Sequence, residues 1–296
     1  MNGARFLDPA VLARIDNLEL VARTVVDGFI GGLHHSPYLG LSTDFAEHRP
    51  YMPGDDIRRI DWRVYGRTDR FYVKEFEADT NANMLVLLDV SRSMDYGDRV
   101  RKLDYARMLG ASLLYLSRRQ RDRVGLVTFD AAILDYVPAS AKHLELALHT
   151  LAARDPGGQG DLPGPLRKVA EMIRRRSVLV VVSDCYDDPD QTIRALSALR
   201  DRGHDVIVFQ VLDPTELSFP FEDASPFEDL ETGERAPVVP ATMREEYRTL
   251  IHEHCDTLAR RLGDRRIDYY LADTGKALDF ALLEYLTRRE WLARVR

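Results

Sequence analysis

A carboxylate and two hydroxyls follow a continuous apolar run and form the first candidate site of this chain. The run at residues 84–88 is followed by Asp89, Ser91 and Ser93. Such a run is typical of a central strand in a parallel sheet, and ligands of these sheets bind beyond the carboxyl ends of the strands. One carboxylate and two hydroxyls are hard oxygen donors of the kind that bind Mg²⁺ or Mn²⁺. The same residue types also cap helix N-termini, so both interpretations are open at this point.

A second apolar run, at residues 178–182, is followed by Ser183 and then by Asp184. Two buried strands that each end near an acid are less expected by chance than one. If the two strands are neighbours in the sheet, Asp89 and Asp184 converge in one crevice. This pairing favours a shared site over two separate helix caps. Asp187 and Asp188 are expected to cap the helix that follows.

The elements around these runs predict an α/β fold with a doubly wound, mostly parallel sheet flanked by helices. Residues 1–80 are expected to form an N-terminal helix, which starts at Asp8-Pro9, and an irregular extension packed on the core. Residues 81–296 are expected to form the α/β domain, with a small β insertion at about 213–240 that has a hairpin turn at residues 231–234. Strands are predicted at 124–130, 133–137, 205–212 and 268–271, with the second of these as a hairpinned edge, and helices at 99–118, 142–153, 166–176 and 243–262.

The composition is that of an ordinary globular protein, with 45% hydrophobic and 30% charged residues. A net charge of −7 gives the chain no overall electrostatic attraction for nucleic acid. Two cysteines far apart in sequence predict reduced thiols, and no apolar segment reaches membrane-spanning length. These features predict a cytoplasmic protein that has no membrane span and does not bind nucleic acid.

A block of arginines, acids and aromatics at residues 48–70 has several interpretations. Arginines near aromatic rings can bind nucleic acid, and the adjacent acids Asp55 and Asp56 could act in catalysis or begin a short helix. Because acids alternate with the arginines throughout the block, a salt-bridged structural or protein-interaction surface is favoured.

The same block carries a family resemblance. Residues 53–64, followed by 71–75, resemble the signature of domain-of-unknown-function family fifty-eight. Members of this family resemble von Willebrand factor type A (vWA) domains and often accompany MoxR-type AAA+ ATPases. The resemblance therefore implies a vWA-like fold, with a MoxR-type ATPase and other vWA proteins as partners. The signature residues expected to contribute to interactions are Gly54, Asp55, Asp56, Arg58, Asp61 and Trp62.

The resemblance also implies a metal-ion-dependent adhesion site (MIDAS). Asp89, Ser91 and Ser93 match the opening Asp-x-Ser-x-Ser of such sites, and Asp184 matches their last acid. Type A domains usually offer a threonine from the loop at residues 155–161, where this chain has Gly160. The expected divalent cation, Mg²⁺ or Mn²⁺, therefore lacks one oxygen ligand, and the site is expected to be weakened or vestigial.

Two classes of function remain open on the sequence. In the favoured one, the protein is a non-enzymatic interaction module or adaptor whose bound cation accepts a carboxylate of a partner, in assembly or maturation of another complex. In the alternative, the same acids form a metal-dependent hydrolase or phosphatase with a metal-bound water as nucleophile. No general acid can be assigned for the second class, which makes an enzyme the less favoured interpretation.

Overall fold

The computed structural model describes residues 8–15, 17–33, 48–51, 62–74 and 82–283. The strands in these residues are β1 (His48–Pro50), β2 (Tyr72–Lys74), β3 (Asn83–Asp89), β4 (Arg123–Phe129), β5 (Ile133–Ser140), β6 (Ser177–Ser183), β7 (Asp205–Leu212), β8 (Ser225–Glu228), β9 (Arg235–Val238) and β10 (Asp268–Asp273). The α-helices are α1 (Pro9–Leu12), α2 (Leu18–Leu33), α3 (Trp62–Thr68), α4 (Lys102–Arg119), α5 (Leu144–Ala153), α6 (Pro163–Met172), α7 (Pro189–Asp201), α8 (Pro214–Ser218) and α9 (Pro240–Asp264). A 3₁₀ helix spans Arg92–Asp95, and a further helix begins at residue 278.

The main sheet has six strands in the order β10-β7-β6-β3-β4-β5, and all neighbours are parallel except β4 and β5. The predicted fold class, a mostly parallel sheet flanked by helices, is therefore confirmed. The hairpinned edge strand is also found, since β5 pairs antiparallel with β4. In the insertion, β8 and β9 form the two-stranded hairpin that the turn at residues 231–234 predicts.

The central strand β3 is apolar on both faces because helices cover both faces of the sheet. Met84, Val86 and Leu88 pack with α2, α4 and α5 in one apolar layer. Leu85 and Leu87 point the other way and pack with α6, α7 and α9. This burial on both faces explains why residues 84–88 are all hydrophobic and do not alternate with polar residues.

The strand order reverses between β3 and β6. From β3 the chain passes to β4 on one side, and from β6 it passes to β7 on the other. At such a topological switch point the two following loops separate and leave a crevice beyond the strand ends. The fold therefore opens a crevice at Asp89 and Asp184.

The N-terminal helix differs from the prediction, because it is two helices, α1 and α2, instead of one. Asp8 caps α1, as expected, through its carboxylate and the N–H of Ala10. Asn17 then provides a second start, because its side chain accepts from Leu20 N–H at 3.0 Å. Helix α2 packs against α4 through apolar residues that include Val21 and Val25.

Among the described helices, none combines the length and the apolar character needed to cross a bilayer.

Candidate functional site

Asp89 lies at the carboxyl end of β3 and is only 4% exposed. Both of its carboxylate oxygens accept hydrogen bonds from nearby residues. Ser91 N–H donates to Oδ1 at 2.9 Å, and the Ser183 hydroxyl donates to Oδ2 at 2.6 Å. The second contact comes from the neighbouring strand, because β3 and β6 run in register up to Leu88 and Val182. The sheet itself therefore fixes the orientation of this carboxylate.

The surroundings of Asp89 oppose its ionisation. Burial and then the charge of Asp184 raise the pKa of Asp89 from 3.8 to about 7. The hydrogen bonds from Ser183 and Ser91 lower the pKa but do not cancel the first two effects. A buried carboxyl group whose pKa remains raised despite its hydrogen bonds is frequently found at functional sites.

The two predicted hydroxyls lie directly beyond Asp89. The Ser91 and Ser93 Oγ atoms are 3.1 Å apart. The glycine-rich loop at residues 157–160 runs beside them, since Arg92 N–H donates to the Gly158 carbonyl at 3.1 Å. Gly157 N–H donates in return to the Val90 carbonyl. The loop that was expected to offer a threonine is thus held next to both serines.

A carboxylate from the insertion closes this edge of the site. Glu231 Oε1 accepts from Ser93 N–H at 2.9 Å, and Glu231 Oε2 accepts from Gly160 N–H at 2.7 Å. Glu231 therefore joins the loop after β3 to the loop before α6. The contact brings together residues that are 138 and 71 positions apart in the chain.

Asp184 is paired with a buried lysine at the start of α4. Lys102 Nζ lies 2.9 Å from Asp184 Oδ2 and 2.7 Å from Glu216 Oε1, and the lysine side chain is 1% exposed. The ring of Tyr186 lies 4.9 Å from the same ammonium. Burial alone would lower the pKa of Lys102, but the charges of Asp184 and Glu216 outweigh burial and raise it. Lys102 is therefore a fixed cation inside the site.

The backbone around Asp184 is constrained from two sides. Gln210, on β7, donates through its side-chain amide to the Asp184 carbonyl at 2.8 Å. The next residue, Cys185, has a positive φ of 56°, which is unfavourable for a residue with a Cβ. His254 Nε2, from α9, contacts the Cys185 carbonyl at 2.9 Å and helps to hold this conformation. Strained backbone of this kind concentrates at functional sites.

Glu216 is held by the first turn of α8. Asp213 and Glu216 form a capping box, in which each side chain accepts from the backbone N–H of the other residue, and Asp213 accepts in addition from Thr215 N–H. Asp213 also accepts from Asp98 N–H at 3.1 Å and from the Thr274 hydroxyl at 3.2 Å. These contacts connect the loop after β3 with the ends of β7 and β10, and they position Glu216 to meet Lys102.

These groups surround a cavity of about 560 Å³ beyond the carboxyl ends of β3 and β6. Asp89, Ser91, Ser93 and Asp184 all line it, as do aromatic side chains of the insertion and of α9. Within the described residues, no three His, Cys, Asp or Glu side chains converge closely enough to form a metal-binding group. The four predicted metal ligands include only two side chains of these types, Asp89 and Asp184, so they do not form a group of three.

The predicted site residues therefore divide into two sets. The four residues predicted to bind metal lie around one cavity, and their binding of a metal stays a prediction. The signature residues Gly54, Asp55, Asp56, Arg58 and Asp61 lie outside the described residues. Trp62 begins α3, but its side chain is likewise outside the described part.

One capping prediction is wrong. Asp188 caps α7 as expected, through its carboxylate and Gln191 N–H at 2.9 Å. Asp187 instead accepts from Leu162 N–H at 3.1 Å and so binds the residue before α6. Its side chain lines the cavity. The tertiary approach of α6 explains this difference, since it brings an unpaired backbone donor to Asp187.

Sequence reasoning did not identify Lys102, Glu216 or Glu231 as members of the site. A signal existed for Glu216, because Asp213-x-x-Glu216 has the spacing of a capping box. For Lys102 the sequence offers no such signal, since a lysine near a helix start is ordinarily exposed. Glu231 belongs to the predicted turn of the insertion, but its position in the sequence does not reveal which residues it contacts.

The fold and the cavity define the class of protein: a doubly wound α/β domain with an acidic site at the switch point of its sheet. A sequence profile of the family described as "Protein of unknown function DUF58" matches residues 47–257. The chain belongs to this family, as its signature block predicted.

The chain is also similar to curated relatives and, at lower identity, to solved structures. An uncharacterised protein of Mycobacterium tuberculosis is 30% identical over 295 residues, which cover 97% of this chain and 88% of the relative. The crystal structure of the conserved hypothetical protein BatB from Bacteroides thetaiotaomicron covers 70% of this chain and 98% of its own, with 18% identity and a TM-score of 0.49. The vWF domain of the pilus tip protein Mfa5 from Porphyromonas gingivalis covers 71% and 96%, with 11% identity and a TM-score of 0.38.

The raised pKa of Asp89 predicts how stability changes with pH in the metal-free protein. Folding favours the protonated form of Asp89. The contribution of this protonated carboxyl group to the free energy of unfolding is therefore complete below pH 3.8 and is lost as the pH rises to about 7. We expect Asp89→Asn to increase the free energy of unfolding by about 1–3 kcal/mol above neutral pH, with a smaller gain in mild acid. Urea denaturation in the presence of a chelator measures this difference. Glu253→Gln, at an exposed position of α9, is the control, and an equal effect of both changes would contradict the account.

The burial of Lys102 predicts a large cost for its removal. Lys102→Met leaves Asp184 and Glu216 without their shared cation, and we expect a loss of about 3–5 kcal/mol in the free energy of unfolding. Arg101 is the matched control because it is the preceding residue and its ion pairs with Asp95 and Asp104 are exposed. Arg101→Met should cost less than about 1 kcal/mol. Similar losses in the two variants would show that Lys102 is not the buried partner of both acids.

Proposed function

We propose that this protein is a non-enzymatic interaction module that binds a divalent cation, Mg²⁺ or Mn²⁺, and through it a carboxylate of a partner protein. The observation that carries this proposal is the pair of acids at the switch point. Asp89 ends β3, Asp184 follows the neighbouring strand β6, and two hydroxyls lie beside them in the same cavity. Ligand binding by open α/β sheets takes place at this position.

The charge of the cavity supports binding of a cation. Lys102 is the one basic residue among the described side chains that line it. The acidic residues there number seven: Asp89, Asp184, Asp187, Glu216, Glu228, Asp229 and Glu231. Since Lys102 is shared by Asp184 and Glu216, its single charge does not balance the others. A divalent cation would lower this repulsion, and it would supply the attraction that a partner's carboxylate needs in an otherwise acidic cavity.

The donor types also fit a hard cation. Asp89, Ser91, Ser93 and Asp184 would hold it, because carboxylate and hydroxyl oxygens are the ligands that Mg²⁺ and Mn²⁺ prefer. The raised pKa of Asp89 supports this choice, because it reflects a buried negative charge without a sufficient counter-charge. Gly160 contributes no side-chain oxygen, and Lys102 already pairs with Asp184. Both features weaken cation binding, so we expect a modest affinity for Mg²⁺ and Mn²⁺.

For the partner we propose a MoxR-type AAA+ ATPase, together with other vWA proteins. This part rests on the family, whose members often accompany such ATPases. The acidic cavity gives the interaction its chemistry, since a bound cation with an open coordination position selects an oxygen anion. An adaptor of this kind would act in the assembly or maturation of another complex.

The proposal predicts that the cation and the partner bind together. We expect Mn²⁺ titrated calorimetrically into the purified chain to bind the wild type, and Asp89→Asn to weaken this binding by about tenfold or more. Complex formation with the MoxR-type ATPase of the same cell should be lost on adding a chelator and in Asp89→Ala.

Glu253→Gln is the matched control and should bind both as the wild type does, since this residue is exposed on α9. If neither a chelator nor Asp89→Ala changes the affinity for the ATPase, the cation does not mediate the interaction. If Asp89→Asn binds Mn²⁺ as the wild type does, the proposed ligand set is wrong.

A further inference from the structure

Glu231 binds to the site as an external carboxylate would. Each of its two oxygens accepts one backbone N–H, from Ser93 and from Gly160. The two donors belong to different loops, and one of them is the predicted metal-site residue Ser93. Two backbone N–H groups that converge on a single carboxylate form a recognition element for that group. The site therefore already contains an acidic side chain, which comes from this chain.

The glycine at position 160 lies close to both Ser91 and Glu231. A Cβ there would lie 3.1 Å from Ser91 Cβ and 3.5 Å from Glu231 Oε1. The first distance is tighter than an ordinary van der Waals contact, whereas the second is an ordinary contact. The residue that departs from the expected threonine therefore donates its N–H to Glu231 and leaves little space for a side chain beside Ser91.

The insertion presents Glu231 in a fixed orientation. The Asp229 carboxylate accepts from the N–H groups of Glu231 and Thr232 at 2.8 and 3.1 Å, and Gly233 completes the turn with a φ of 74°. At the base of the insertion, Phe219 packs against the ring of Tyr247 at 4.6 Å. The turn is therefore ordered by its own contacts and is attached to α9.

The contact of Glu231 is also of the kind that another carboxylate can replace. Within the part of the chain that the structure describes, no lysine or arginine forms a salt bridge with Glu231. Its partners are two neutral N–H groups, and other acids line the same cavity. A partner's carboxylate that is held at the site can accept the same two N–H groups, because one set of hydrogen bonds then replaces another.

We propose that the N–H groups of Ser93 and Gly160 form a carboxylate-binding subsite that Glu231 fills in cis, and that an acidic side chain of the partner displaces Glu231 when it binds. This inference rests on the proposed function and adds to it the recognition of the partner's carboxylate and a reason for the insertion. The hairpin of β8 and β9 covers the subsite until such a side chain arrives.

The subsite can be tested with acetate as the probe, in the full-length chain without metal. Backbone amide resonances of Ser93 and Gly160 are followed by nuclear magnetic resonance while sodium acetate is titrated against sodium chloride at equal ionic strength. We expect a saturable downfield shift of both resonances in Glu231→Ala, since acetate replaces the missing carboxylate. In the wild type the same resonances should not move, because Glu231 already occupies the donors.

Glu234→Ala is the matched control, since Glu234 lies on the same turn and is exposed, and it should behave as the wild type does. A second readout is hydrogen exchange, in which Glu231→Gln should lower the protection of the Ser93 and Gly160 amides about tenfold or more. An absent or non-saturable response in Glu231→Ala would overturn the proposal, as would an equal response in the wild type. Because no metal is present, this outcome is independent of whether Asp89 binds Mn²⁺.

Discussion

Burial of negative charge at the ends of two neighbouring strands is the constraint on which the rest of this structure depends. Asp89 and Asp184 are 4% and 3% exposed, and each lies at the carboxyl end of a strand that is apolar on both faces. Removing a carboxylate from water costs several kcal/mol unless hydrogen bonds or an opposite charge replace the water. Ser183, Ser91 and Lys102 provide these contacts. A fold that retains such a cost at one place is expected to use that place.

The compensation links the site to the rest of the molecule. Lys102 begins α4 and contacts both Asp184 and Glu216, so one ammonium connects the end of β6 with α8. Helix α8 in turn opens the segment that carries the hairpin and Glu231. Asp184 is therefore connected through Lys102 and Glu216 to the start of the insertion. This arrangement gives the insertion a part in the site beyond that of a surface loop.

Local sequence was sufficient for the features that depend on local physics. Residues 84–88 and 178–182 predict buried parallel strands, and the acids that follow them predict the position of the cavity. The hairpin of the insertion follows from its turn residues. The division of the first helix was missed because Asn17, an N-cap inside an apolar repeat, is a weaker signal than the repeat.

Features that depend on tertiary contacts could not be predicted in this way. Lysine is ordinarily exposed on helices, and Lys102 is buried only because α4 meets β6 and α8 at this residue. Glu231 reaches Ser93 across 138 residues, a distance at which spacing carries no information. Asp187 likewise binds α6 and not its own helix because of an approach that the sequence does not encode locally.

We propose that Asp89, Ser91, Ser93 and Asp184 hold a divalent cation at the switch point of the sheet. Anomalous X-ray scattering tests it most directly, with data from crystals of the full chain grown with MnCl₂ and measured on both sides of the manganese absorption edge. We expect an anomalous difference peak beside Ser91 and Ser93, in contact with Asp89, that is absent in Asp89→Asn. A map without a peak in this cavity, from crystals that show bound manganese elsewhere, would contradict it.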